Sequence, residues 1–318
     1  MCALVIMFAP AIGPTLTGLI LAKLSWQWIF WLFIPFLFIA LIFAITSLEN
    51  VGEITKPHVD MLSIIESAVG CSGLVIGASL ASEDGWTSPT VLSALIIGII
   101  VLIFYTHRQL HLEEPILNLR IFKYPAFTIG SSIVMLDFGI ILSTMYLLPL
   151  FYQRGLLVSV ALTGLVMLPG GIINAATSAI AGRLYDSIGA KCPVLIGFVL
   201  ALFGALMLAF TTPHSPIIYV VCAHVILMIG CPPAQTSALS TLSGFESGDG
   251  STIMNTMQQV IGALTTALAT SCLAWGSSSI SGSETVRFTN GFHYGIYFAI
   301  ILIVVALLLS FKIKDRKD

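Results

Sequence analysis

Ten stretches of about twenty mostly apolar residues follow one another along this chain, separated by short polar breaks. They fall at roughly 2–22, 28–47, 61–81, 89–106, 126–151, 160–181, 192–210, 216–240, 251–273 and 292–311. A stretch of that length spans the hydrocarbon core of a bilayer once as a helix. Backbone N–H and C=O groups in lipid find no water, so each segment has to satisfy them internally, and a helix does so. A membrane β-barrel would instead show short segments of alternating polarity, which this sequence lacks. The sequence therefore predicts an all-α membrane protein, a bundle of about ten transmembrane helices.

Composition agrees. Of 318 residues, 57% are hydrophobic and 9% charged, with a mean hydropathy of +1.02. A soluble domain carries about a quarter charged residues. The net charge of −2, with no basic patch, argues against a nucleic-acid partner. Six cysteines (Cys2, Cys71, Cys192, Cys222, Cys231 and Cys272) lie within apolar runs without metal-ligand spacing. They read as small buried hydrophobes, and no metal or cofactor is expected. No basic segment followed by a cleavage site opens the chain, so no signal peptide is expected.

The polar breaks include Glu49 to Asp60, Glu83 to Trp86, and Gly182 to Lys191. Basic residues concentrate on the cytoplasmic side of membrane proteins. If residue 1 lies on that side, ten of the thirteen Lys and Arg residues are cytoplasmic, and only Lys23, Arg154 and Arg287 face out. Both termini are then cytoplasmic. Trp26, Trp28, Trp31, Trp86 and Trp275 fall near the outer ends, as an interfacial aromatic belt does. The longest cytoplasmic connection, His107 to Pro125, separates four helices from six.

Ionisable groups inside a membrane are costly and mark functional sites. Asp137 sits near the middle of the 126–151 window. Protonation removes the cost of its buried charge, which suits a proton carrier or a counter-charge for cationic compounds; a structural hydrogen bond to a neighbouring helix is the alternative. Glu66 lies about two turns inside its window, within reach of the cytoplasmic interface. His224, in the outer part of the 216–240 window, reads as a proton relay or a satisfied packing histidine. Thr252, Asn255, Gln259, Gly262 and Thr266 form one helical stripe, which either lines a watery cavity or packs closely against another helix. Asn174, on the helix of Gly170 and Gly171, carries the same ambiguity. No paired carboxylates, metal cluster or nucleophile–base set is present in the sequence, so no enzyme activity is expected.

Several ordered motifs carry a resemblance. Gly13-Pro14 with Gly18 resembles the antiporter motif found in drug:proton exporters of the major facilitator superfamily. Leu24 to Trp31 with Pro35, Glu114 to Phe122, Leu148 to Gln153 with Gly155, and Gly164-Leu165 with Leu168-Pro169-Gly170 are similar, in order, to segments of its fourteen-span branch. Gly182, Arg183, Asp186, Gly189 and Lys191 match that superfamily's cytoplasmic latch loop, although Ser187 stands where a basic residue is usual.

The resemblance implies a major-facilitator-type bundle. Residues 1–47 would supply the last two helices of the N-terminal half, 48–125 a two-helix linker region with a cytoplasmic loop, and 126–318 the six-helix C-terminal half with a cytoplasmic tail. The chain would begin at the family's fifth span, four spans short of the whole. The implied function is proton-coupled efflux of lipophilic or cationic drugs across the plasma membrane by alternating access. Its partners would be the lipid bilayer, drug-like small molecules and protons. The alternative expectation is a fragment that transports nothing without the four preceding helices.

Overall fold

A computed structural model describes residues 13, 15–47, 60–112, 115–231 and 245–313. Residues 2–12 and Pro14 of the first window, residues 48–59, Glu114, residues 232–240 of the eighth window and the tail from Lys314 lie outside the described residues. Every regular element among the described residues is helical. Residues 15–21 form α1. Then follow α2 (Gln27–Ser47), α3 (Met61–Asp84), α4 (Pro89–His111), a 3-10 turn (Leu119–Lys123) and α5 (Pro125–Leu150). A π-helical turn (Phe151–Gly155) leads to α6 (Val160–Ile188), α7 (Lys191–Ala209), α8 (Ile217–Gly230), α9 (Phe245–Ser278) and α10 (Glu284–Ser310).

Eight of these helices are long and apolar enough to cross a membrane, and Ile217–Gly230 is a shorter apolar helix. Several extend past the hydrophobic windows. Helix α10 begins at Glu284, where the Ser283 hydroxyl accepts the Val286 N–H as an N-cap. Polar turns like this add nothing to a hydropathy window, but capping carries the helix through them.

Helices α5 to α10 form a ring. Helix α5 packs on α9, α9 on α10, α10 on α7, α7 on α8, and α8 on α6, with a light closure between α6 and α5. Helix α10 also reaches across to α5. This pattern has an internal order. Exchanging the triplet α5-α6-α7 with α8-α9-α10 turns the α5–α9 contact into the α8–α6 contact, and the α7–α8 contact into the α10–α5 contact. In these two contacts the triplets correspond, with α5 and α8 as their leading helices, whereas the close α9–α10 packing has only a light counterpart in α6–α7.

The ring encloses the main core, with Ile140, Leu147 and Tyr152 from the α5 end, Phe198 and Ala205 from α7, Leu227 from α8, and Phe292 and Ile296 from α10. Phe151 stacks on Phe292 with ring centres 4.2 Å apart. Helix α2 has no buried residue. A helix apolar all round in a membrane turns its side chains to lipid or to other spans. The five described cysteines are free. Cys231 is buried as expected, but Cys192 and Cys222 are exposed on the apolar outer surface, because burial from water in a bilayer needs only lipid.

Helices α3 and α4 make a tight hairpin. A Cβ on Gly73 would come within 2.8 Å of Gly98 Cα. Asp60, at the foot of α3, accepts two hydrogen bonds from the Arg108 guanidinium at 2.8 and 3.1 Å and one from the Ser63 hydroxyl at 2.7 Å. The hydrogen-bonded guanidinium, helped by that hydroxyl, holds the Asp60 carboxyl well below the usual carboxylate range. A carboxyl depressed in the folded state stabilises it fully above the unfolded pKa of about 3.9 and progressively less as pH falls further. Acidification below about pH 4 should therefore speed hydrogen exchange at the C-terminal turns of α4, and Asp60→Asn should remove that pH dependence. Equal acid sensitivity in the two proteins would count against this pair.

Candidate functional site

Asp137 is the thirteenth of the 26 residues of α5 and is 0% exposed. It lies about 18 Å along the helix from Pro125, at 1.5 Å per residue. The Cys231 thiol, immediately after α8, donates to the Leu227 carbonyl at 3.7 Å and lies beside the Asp137 carboxyl. Helix α5 and the end of α8 thus come together at a buried acid.

The end of α8 is written in its sequence. Pro232 and Pro233 have no N–H, so the carbonyls of Met228 and Ile229 lose their helical donors. Asn174 of α6 reaches across and donates from Nδ2 to the Met228 carbonyl at 3.3 Å. It therefore serves as a tie between helices at the level of Cys231. His224 lies two turns from Cys231 on the same face of α8 and is 2% exposed. Its ring rests on Gly170 of α6, where any Cβ would overlap the imidazole. Its Nδ1 makes no hydrogen bond among the described residues. Helices α5, α6 and α8 therefore converge with Asp137, Asn174, His224 and Cys231 as the polar groups between them.

The remaining candidates lie apart from this cluster. Asn255 and Gln259 are exposed on α9, as is Thr252. Farther along the same stripe, Gly262 is buried, and a Cβ there would run into Leu142 and Phe138 of α5. Thr266 donates back to the Gly262 carbonyl at 2.7 Å. The stripe thus divides into an open polar part and a part that packs on α5. Glu66 belongs to the α3–α4 hairpin, where it is half-buried and acts electrostatically on Tyr105 and Arg108. Its Oε2 has no hydrogen-bond partner among the described residues.

Of the antiporter motif, Gly18 has a clear packing role. A Cβ there would stand 2.9 Å from the Val160 carbonyl oxygen and 3.1 Å from Gly164 Cα. Thr15, one turn earlier, donates its hydroxyl to the Gly164 carbonyl at 2.6 Å. Together they seat α1 on the start of α6. Gly13 has nothing within 4 Å of its Cβ position.

The latch loop needs correction. The sequence reading placed a break from Gly182 to Lys191, but α6 continues through Gly182, exposed Arg183 and the backbone of Asp186 to Ile188. The side chain of Asp186 lies outside the described residues. The connection narrows to Gly189 and Ala190 before Lys191 opens α7. Gly189, at φ +82°, supplies the left-handed residue that ends α6.

Sequence reasoning named Asp137, His224 and Asn174 but missed Cys231, Gly170 and the Met228 carbonyl. The Pro232-Pro233 pair was the available signal, since it announces freed carbonyls that some side chain must satisfy.

A ring of spanning helices with a carboxyl buried midway along one of them is the setting in which membrane transporters place functional acids. The sequence matches the family model described as Major Facilitator Superfamily over residues 1–266. It is 42% identical to the lincomycin resistance protein LmrB of Listeria innocua, over the whole of this chain and 70% of that protein. It is 43% identical to the protein of the same name in Bacillus subtilis, over 99% of this chain and 69% of that one. The puromycin resistance protein pur8 of Streptomyces alboniger is 26% identical over 96% of this chain and 64% of its own length. The chain belongs to the major facilitator superfamily, a family of multi-pass membrane transporters.

Proposed function

We propose that this chain works in the proton-coupled export of drug-like amphiphilic or cationic compounds across the plasma membrane. Asp137 is the group whose protonation alternates with substrate. The observation that carries the reading is the position of Asp137: buried, midway along a spanning helix. A charge there is unfavourable, so each side of the cycle neutralises it either with a proton or with a cationic substrate. Asn255 and Gln259 on the open part of α9 supply hydrogen-bonding groups to the same pathway. The relatives named for lincomycin and puromycin resistance support an amphiphilic antibiotic as cargo. The concentration of basic residues supports an orientation with both termini in the cytoplasm. Residues 1–47 then belong to one rocking half, 126–318 to the other, and 48–125 to the connection between them.

The test is transport in liposomes carrying the purified chain. An imposed pH gradient should drive accumulation of labelled lincomycin, and nigericin, which collapses that gradient, should stop it. Accumulation that ignores nigericin would remove proton coupling. No accumulation under any gradient would remove the transport reading for this chain.

A further inference from the structure

Helices α3 and α4 stand outside the ring of six, yet they are fastened to it at both ends. Helix α3 packs along α9. At one end Trp86, in the turn between α3 and α4, donates its indole N–H to the Ser271 hydroxyl of α9 at 2.9 Å. At the opposite end Gln109 is fully buried. Its Nε2 donates to the Ser63 hydroxyl at 2.6 Å, and its Oε1 accepts the backbone N–H of Leu117 at 3.2 Å. That single amide joins α3, α4 and the chain leading into α5. Arg120 then caps α4 by donating to the carbonyls of Leu110 and Leu112 at 3.0 and 3.4 Å. The 3-10 turn that carries Arg120 sits in a small core in which Ile121 meets Phe127 and Val134 of α5 and Ile253 and Met254 of α9. Helix α2 shares no packed face with the hairpin among the described residues.

We propose that the α3–α4 hairpin moves with α5–α10 as one rigid unit during transport. Trp86 is the positioning residue that holds α9, and with it the polar face of Asn255 and Gln259, in register, and Gln109 holds the chain leading into α5. The proposal rests on the transport reading above for its role, but not for its geometry. These two fastenings, about 35 Å apart along a 24-residue helix, leave the hairpin no freedom to swing.

The experiment joins Trp86→Cys to Ser271→Cys with a short, reducible bis-methanethiosulfonate, the other cysteines except buried Cys231 being replaced by serine. The reduced protein, which lacks the indole–hydroxyl tie, should transport several-fold slower than the parent, and linking should restore the rate. A loss on linking that reduction restores would overturn the proposal. A second measurement needs no transport. Spin labels at exposed Ile76 of α3 and Leu268 of α9 should keep one narrow distance in acid and alkali, with and without lincomycin. A distance that shifts or splits would equally overturn it. If the chain moves nothing before linking, the transport reading fails and the spin-label distance still decides the hairpin. Trp86→Phe, which keeps the ring and drops the N–H, should lower the maximal rate several-fold at unchanged KM. Ser271→Ala should do the same, and the two together should cost no more than either. A change in KM alone, or additive losses, would contradict the positioning role.

Discussion

Substituting asparagine for Asp137 should reduce efflux to the background of cells without the protein, while the protein accumulates and melts as before. The two side chains have nearly the same size, so packing around position 137 and the nearby Cys231 is kept. What disappears is the ability to ionise. On membrane-insertion scales a charged acid at the centre of a spanning helix costs about 3 kcal/mol, a factor of more than a hundred in population. That cost drives exchange: the ionised form demands a proton or a cationic substrate, and an amide demands neither. The variant should therefore bind substrate in equilibrium experiments without moving it uphill. Asp137→Glu, which restores the carboxyl on a longer arm, should recover part of the rate. Full efflux from the asparagine variant, at matched expression, would take the proton-handling role away from α5 and leave Glu66 as the next carboxyl to examine.

The spanning helices were legible because hydropathy averages over about twenty residues and tolerates single exceptions. Their ends were less so. The first turns of α10 carry Glu284, Arg287 and Asn290, which depress a hydropathy window while Ser283 caps the helix to which they belong. The same conflict hid the continuation of α6 through Arg183. Gly189 was visible as a turn residue, but its left-handed φ shows that the turn is one residue past the helix rather than a loop of ten. The candidate site was legible in kind and not in grouping. A carboxyl in an apolar window draws attention on its own, but its meeting with Cys231 depends on how α5 and α8 are rotated about their axes. Periodicity fixes the face of each helix and leaves its partner open. What decides the partner is the order in which the six helices pack around the ring, and the chain shows it only once folded.

That arrangement depends on α8 lying very close to α7, and the largest structural effect should come from widening the gap. Gly204→Val should remove most of the folded protein. A Cβ at Gly204 would stand 2.5 Å from the Leu227 nitrogen and 2.8 Å from both Leu227 Cα and the Ala223 carbonyl oxygen. These are backbone atoms, so no change of rotamer relieves the overlap and α8 has to lift as a whole. The same close contact continues to the last residue of α8, where a Cβ on Gly230 would overlap the Gly197 carbonyl oxygen and press on Ala201. Helices in lipid gain nothing from hiding apolar surface from water, and close backbone approach at small residues replaces that driving force. Overpacking a core costs about 1–3 kcal/mol when side chains can shift, and a clash with fixed backbone belongs at the upper end or beyond. Lifting α8 also draws the Met228 carbonyl away from Asn174 and Cys231 away from Asp137, so surviving molecules should transport poorly. Gly248→Val is the control: it sits on α9 with nothing within 4 Å of its Cβ position and should be tolerated. Thermal unfolding in detergent reads both variants. A Gly204→Val protein that melts with the parent, while Gly248→Val does so too, would mean that the α7–α8 crossing is looser than its geometry and that α8 is held at the site by something other than contact with α7.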